Sequence, residues 1–396
     1  MNKIVLSRVL CITVFLTNLS QLPVIVKQGR SSLLSAMVWV AVLLIVVVFT
    51  LKDFTLNKQI SGLIICVIIL FITLIFSTVI TGINKLNVTY VSPLIISMLS
   101  YFIGYCAGKY IEPDEMEKIY FSYIISTVIL SVNLYTTYFS SAFAWESRIY
   151  AYGSKNSVSQ IILTAIILLV LISKEKKIIY TLFKWCIVAF LTVLLMMLKS
   201  RGSIIGIPVI ALYVLLNKNI NKKLKIFIML LCVSFVIALM INNDFYNLIV
   251  NNVLLANRGS DNLDDISSGR LTIINEAIDL WRNTSIFWGY GNHYIDLFYL
   301  SSYIQTGLLS GTIINLIAFQ PLFFAVKHFL LKKVKNIHMD IFIVVVTVYL
   351  INGIFEGLTP LGPGVKCYFL WLLFGIYSNK NISEYKFGGH TLYNKA

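Results

Sequence analysis

The residues best suited to chemistry are charges placed where an apolar chain has least use for them. From Leu194 to Gly206 the sequence reads Leu-Leu-Met-Met-Leu-Lys-Ser-Arg-Gly-Ser-Ile-Ile-Gly, so Lys199 and Arg201 sit in a tight turn between two apolar runs. An arginine at a helix N-terminus, with Gly202 permitting close backbone approach, makes an anion site, because guanidinium and unpaired N–H groups converge on one spot. The competing reading is snorkelling of both cations to lipid headgroups. A second cluster, Trp145 to Asn156, carries Arg148, Lys155 and three aromatics, with Asn156 or Ser157 able to cap the apolar run that follows; it also fits an interfacial aromatic belt. Glu356 stands at the end of another apolar run, where an ionisable group is costly and hence a functional candidate, unless it is simply exposed at an interface.

The largest concentration of chemistry lies in 242–300, a polar stretch in an otherwise apolar chain. It holds seven of the 17 acidic residues, with Arg258, Arg270, Arg282 and His293. A connection of this length is functional or disordered. Its own apolar residues, among them Ile274, Trp281, Trp288 and Tyr290, argue for a folded lid over a site at the membrane surface. Within it, Leu271, Ile274, Ile278 and Trp281 recur at helical spacing, which predicts an amphipathic helix with Arg270 at its first turn. Trp288-Gly289-Tyr290-Gly291 reads as a glycine-rich turn. His293, Asp296 and Leu300 are then expected on one helical face leading into the next span, where Gly307 and Gly311 permit close helix packing.

The elements that must position these residues are membrane spans. With 396 residues, 58% hydrophobic content and 12% charge, and a mean hydropathy of +0.84, the chain exceeds the apolar share of about 45 to 50% found in soluble domains. Apolar segments of roughly span length begin near Val9, Leu33, Ile60, Val88, Ile119, Val158, Ile178, Ser203, Leu224, Tyr303, Ile341 and Val365. The expected fold class is an all-α polytopic membrane protein of about 12 transmembrane helices, with one long extracytoplasmic loop containing short helices. It forms a single integral membrane domain over 1–396, the 242–300 loop being its lid. The first apolar run, behind Lys3 and Arg8, lacks a small-x-small cleavage pattern and reads as a span. Counting by the positive-inside rule, about 20 lysines and arginines fall on the N-terminal side of the membrane and about 11 opposite. Both termini are therefore expected in the cytoplasm and the long loop outside. The net charge of +15 is then topogenic and does not argue for nucleic acid. The six cysteines lie in or beside spans, which speaks against a disulfide or metal framework. Up to about Gly108 the sequence offers no functional residue, and the acidic run around Pro113 reads as a solvated turn.

Taken together, Lys199-Ser200-Arg201-Gly202, Ser268-Gly269-Arg270-Leu271, Trp288-Gly289-Tyr290-Gly291, Asp296-Leu297-Phe298-Tyr299-Leu300 and the Gly307/Gly311 pair resemble the O-antigen ligase and Wzy polysaccharide polymerase superfamily. The resemblance runs from Arg148, whose segment to Asn156 is similar to the family's Arg and Gly-x-x-Asn region, to about Gly364. It implies a glycosyltransferase without metal or other cofactor, acting on undecaprenyl-pyrophosphate-linked oligosaccharide at the outer face of a bacterial cytoplasmic membrane. Flippase and chain-length regulator proteins would be its further partners. Under that reading Arg148, Lys155, Arg201 and Arg270 bind the pyrophosphate, for which guanidinium is suited by its bidentate donors and permanent charge. Trp288, Tyr290 and Tyr299 face the sugars, and Asp296, His293 or Glu356 takes the proton from the acceptor hydroxyl. Direct attack inverts the anomeric centre. Ligases of the family carry His-Asn-x-Tyr-Leu after the Gly-x-Gly turn; here Asp296 occupies the histidine position and Leu297 the asparagine position. A polymerase is expected, with ligase-type transfer as the alternative. A lipid-linked oligosaccharide flippase is the reading from a different class, although no internal repeat of the transporter kind is evident.

Overall fold

A computed structural model describes residues 2–50, 54–87, 90–139, 155–172, 178–218, 220–253, 269–328, 337–362 and 364–379. Arg148 and Arg258 lie outside the described residues. Among those described, every regular element is helical. In chain order they are α1 (Asn2–Leu19), the short α2 (Pro23–Lys27), α3 (Ser31–Thr50), α4 (Lys58–Thr81), α5 (Val91–Gly108), α6 (Pro113–Leu134), α7 (Lys155–Leu171), α8 (Ile178–Met197), α9 (Arg201–Leu216), α10 (Lys222–Ile241), the short α11 (Asn243–Asn247), α12 (Arg270–Thr284), α13 (Phe298–Val326), α14 (Ile337–Asn352) and α15 (Gly364–Asn379). Each of the twelve apolar segments seen in the sequence falls on or leads into one of them. Among the described residues seven helices are long and apolar enough to cross a membrane, and α1, α7, α9 and α14 are shorter apolar helices.

The outer helices α3, α4, α8 and α10 turn rows of Ile, Val, Leu and Phe outward. Such rows are costly in water and at no disadvantage against lipid tails. The inner helices α7, α14 and α15 are buried almost all round. Small residues bring the core backbones together: a Cβ on Gly108 would stand 2.7 Å from the Ile376 carbonyl, and one on Gly375 2.7 Å from the Tyr105 N–H. The α5–α15 crossing is therefore closer than any larger side chain at those positions would allow. Buried polar groups stitch the rest: Tyr368 donates to Asn18 Oδ1 at 2.8 Å and Asn18 Nδ2 to Ser126 Oγ at 3.0 Å, tying α15, α1 and α6. In the acidic run at the start of α6, Glu115 accepts from Ser7 of α1 as well as from Lys118, so this turn also joins two helices.

Alternation of the helices gathers the described parts of the connections, 82–87, 135–139, 198–200, 242–253, 269–297 and 353–362, at one end of the bundle, here called the loop end. α13 departs from the single span expected there. Tyr299 and Phe319 stack with centroids 5.4 Å apart, Asn315 Nδ2 donates to Ser302 Oγ at 2.8 Å, and a Cβ on Gly311 would stand 2.9 Å from the Cα of Tyr303. Twenty residues of straight helix would separate the first pair by about 30 Å. The chain reverses at Gly307, whose φ of 85° and ψ of 175° break the helix in a region that essentially only glycine enters. The first limb, 298–306, climbs toward the loop end. The second, 308–326, returns antiparallel to α4, with Ser310 bonded to Thr73 at 2.9 Å and Gln320 beside Cys66 at 3.6 Å.

Candidate active site at the loop end

The glycine-rich turn and the ascending limb together make a re-entrant hairpin. Tyr290 N–H donates to the Ile304 carbonyl at 2.7 Å and Gly291 N–H to that of Gln305 at 3.1 Å. These bonds occupy carbonyls that the limb leaves open where it ends at Gly307. At its foot, Phe298 N–H donates to the Gly353 carbonyl at 2.9 Å, and the Tyr299 hydroxyl to that of Leu350 at 2.6 Å. Residues 291–297 thus run down beside 305–298, a descent of about 10 Å at helical rise. This segment is not helical. The expectation that His293, Asp296 and Leu300 share a helical face is corrected here: Gly289 and Gly291 adopt φ of 74° and 111°, which starts an irregular descent, and helix resumes only at Phe298.

That descent separates the two candidate bases. His293 stays near the turn, its ring edge-on to Tyr290 at 5.9 Å and its carbonyl accepting from Gln305 Nε2 at 2.9 Å. Asp296 lies at the foot, where its carboxylate accepts from Arg270 at 3.0 Å. Tyr294 stands between carboxylates: burial first, then the negative charge of Asp296 and that of Glu356, push its phenol well above the ordinary range. A Cβ on Gly357 would lie 2.6 Å from the Tyr294 ring, so the turn after α14 packs directly on this residue. In that turn Glu356 accepts from Lys366 Nζ at 2.8 Å. The Lys366 side chain is 1% exposed and that of Glu356 13%, so this ion pair is buried.

The helix starting at Arg270 follows Gly269, which has a φ of 76°. It packs through Ile274, Ala277 and Trp281 onto Ile295, Leu297, Leu300 and Ile304 of the hairpin. Leu271, assigned to the same stripe from its spacing, is instead 43% exposed, because the contact face turns toward Ala277. Arg270 is thereby held over the foot of the descent.

Arg201 is the first residue of α9, preceded by Lys199 at a φ of 52°. Gly202 meets the Asn352 side chain and Phe355, whose Cβ would be 3.0 Å from a Cβ on residue 202. Arg201 therefore begins its helix against the turn that carries Glu356. Lys155 opens α7, and Asn156 and Ser157 lie within that helix's first turn. One turn on, Gln160 accepts from Asn352 Nδ2, which brings this helix start to the same end. Trp288 is half-buried at the turn, its carbonyl accepting from Ser77 at 2.9 Å. Tyr299 lies at the hairpin foot with its hydroxyl committed to Leu350.

Three contributors were not legible as functional: Tyr294, Lys366 and Lys85. Lys366 sits in the last apolar run, where it passes for a flanking charge. Lys85 and Ser77 come from the stretch before Gly108, and both bond the glycine-rich turn, Lys85 Nζ reaching the Gly289 carbonyl at 2.8 Å. Among the described residues no three His, Cys, Asp or Glu side chains group as metal ligands would.

No curated protein matches the chain. A family model described as O-Antigen ligase matches residues 186–317, one third of the chain. It takes in Arg201, Arg270, His293, Asp296 and the whole re-entrant hairpin, and leaves out Lys85, Lys155, Glu356 and Lys366. At the superfamily level the match implies a glycan-transferring enzyme, and with the apolar helices it marks a multi-pass membrane protein. Over residues 186–317 the chain is therefore similar to the O-antigen ligase family, consistent with the O-antigen ligase/Wzy superfamily.

Proposed function

We propose that this protein is a polysaccharide polymerase of the O-antigen or capsular kind. It joins undecaprenyl-pyrophosphate-linked repeat units on the outer face of the bacterial cytoplasmic membrane, with both termini in the cytoplasm. The observation that carries the reading is the pairing of Arg270 with Asp296 at the foot of the re-entrant hairpin, next to the helix start that carries Arg201. Arg270 and Arg201, with Arg148 and Lys155, take the pyrophosphate of the donor, whose leaving group carries the negative charge. Asp296, released from Arg270 when the diphosphate arrives, takes the proton from the acceptor hydroxyl. The acceptor oxygen then attacks the anomeric carbon, the bond to the pyrophosphate breaks and the lipid pyrophosphate leaves, and the configuration inverts without a metal. His293, farther up the descent, and Glu356, held by Lys366, are the alternative bases for this proton. Trp288 and Tyr290 at the turn and Tyr299 at its foot offer aromatic faces to the sugars. The loop 242–300, of which 254–268 lie outside the described residues, serves as the lid of the site, and a flippase and a chain-length regulator are the expected neighbours.

The description of the matched family favours one second reading, ligase-type transfer of glycan from the carrier lipid to another acceptor. The product separates the two. Cells lacking the gene, complemented with wild type or Arg270→Ala, are compared by gel analysis of surface glycan. Single repeat units in the null strain and in Arg270→Ala, against a ladder in wild type, support the polymerase. Long chains stranded on the carrier lipid in the null strain support the ligase, and a wild-type ladder from both Arg270→Ala and Arg201→Ala sinks the site.

A further inference from the structure

We propose that Lys85 is a positioning residue of this site: its ammonium holds the glycine-rich turn that delivers His293 and Asp296 to the hairpin. This rests on the reading of the hairpin as the transfer site.

Lys85 follows α4 in a short 3-10 turn and is completely buried. Its Nζ donates to the Gly289 carbonyl across 204 positions of sequence, and a Cβ on Gly291 would lie 3.6 Å from the same nitrogen. The adjacent carbonyl, that of Trp288, is held by the Ser77 hydroxyl, so α4 and its extension grip two successive residues of the turn. From there the tether passes directly into the descent. Gly289 packs on Gly307 and Gln305, and the next two N–H groups bond Ile304 and Gln305. A shift at Gly289 is thus a shift of the segment that ends in Asp296.

The choice of a lysine carries the argument. A hydroxyl suffices one residue earlier, whereas a buried ammonium with a carbonyl for a partner is expensive to desolvate. Among the described residues the elements packed around it supply no carboxylate: the charged residue of α4 is Lys58 at its far end, and the titratable side chains of 286–291 and α13 are Tyr290, Tyr299 and Tyr303. Burial accordingly lowers the Lys85 pKa from 10.5 to about 8. The charged bond to Gly289 is the stronger one, yet the folded protein binds this proton less tightly than the unfolded chain does. Activity and stability therefore respond to pH in opposite directions. As pH rises through about 8 the ammonium is lost and transfer slows, while from about 8 to 10.5 folding stability rises.

The test uses the full chain in lipid nanodiscs, with lipid-linked repeat units extracted from the null strain as substrate. Chain growth and thermal unfolding are followed from about pH 6.5 to about pH 9.5. Wild type should lose activity at the alkaline end while its unfolding temperature climbs. Lys85→Met should be at least as stable as wild type, with a flat stability profile and a kcat reduced by about tenfold or more at little-changed KM. Lys85→Arg should restore part of kcat and remove the alkaline loss. A wild-type profile flat in activity, a Lys85→Met variant with wild-type kcat, or one whose slowness comes with a lower unfolding temperature, as a plain structural tether would give, each overturns the proposal. Arg270→Ala is run beside them. If it is inactive while Lys85→Met is not impaired, only the role of Lys85 fails; if both are unimpaired, the reading of the site fails.

Discussion

The Arg270 guanidinium and the Asp296 carboxylate meet at 3.0 Å while their side chains stay 36% and 40% exposed. A pair that wet contributes at most about 1 kcal/mol to stability, so it opens readily for a competing dianion. Arg270→Ala and Asp296→Asn should therefore unfold within about 1 kcal/mol of wild type. Removing a positioned base typically costs about 10²- to 10⁴-fold in rate, which is the loss expected of Asp296→Asn, and Arg270→Ala should abolish chain growth through loss of donor binding. Thermal unfolding and ladder formation on the same preparations check both halves. An unfolding temperature that collapses in either variant would show the pair to be a structural tie.

Gly307 is the hinge on which the hairpin depends. Any side chain there meets the Phe287 carbonyl and adopts a φ of 85°, a strain of about 1 to 3 kcal/mol before the collision is added. Gly307→Ala should straighten the two limbs and detach the descending segment. A cysteine pair at Ser302 and Asn315, whose side chains touch at 2.8 Å, should form a disulfide under mild oxidation in an otherwise wild-type chain. With Gly307→Ala the cross-link should be lost, since thirteen residues of continuous helix hold these positions about 20 Å apart. A cross-link that forms equally well in both would refute the hinge.

The sequence shows its helices through apolar length and its cations through their awkward placement. Arg201 at a helix start with Gly202 beside a close neighbour is read directly from the order Lys-Ser-Arg-Gly. Arg270 at the head of an amphipathic helix follows from the spacing of Ile274 and Trp281. The reversal at Gly307 does not follow, because both limbs are apolar and helical and a single glycine in an apolar run reads equally well as a packing contact. The loss of helix between Gly291 and Leu297 is hidden for a related reason: His293, Asp296 and Leu300 keep helical spacing by coincidence, and only the hydrogen bonds to Ile304, Gln305 and Gly353 reveal the descent. Lys85 and Lys366 are illegible because a flanking charge and a buried one look alike until the partner is known, and the Lys85 partner is 204 positions away.

Gly202 allows α9 to press against the turn after α14. A methyl group there would strike Asn352 Oδ1 and stand 3.0 Å from the Phe355 Cβ, an overpacking that typically costs about 1 to 3 kcal/mol. The displaced element is the helix start that carries Arg201, so Gly202→Ala should raise KM for the lipid-linked donor more than it lowers kcat. Kinetics at varied donor concentration decide this. A loss confined to kcat would mean that Arg201 acts on the transition state alone or lies away from the diphosphate.

Glu356 and Lys366 form the opposite kind of pair from Arg270 and Asp296, with the lysine side chain 1% exposed. Breaking a buried pair from one side leaves an uncompensated charge and costs about 3 to 5 kcal/mol, whereas replacing both partners by neutral groups of similar volume is often close to neutral. Lys366→Met alone should therefore unfold far earlier than wild type, and Glu356→Gln combined with Lys366→Met should recover most of that loss. Because Tyr294 faces Glu356 as well as Asp296, the double variant also reports on chemistry. If it is stable and still builds chains, the pair serves to hold the turn after α14 against Tyr294 and Gly357. If it is stable and silent, the Glu356 carboxylate takes part in acceptor handling. A double variant no more stable than Lys366→Met would show that the two charges are not coupled.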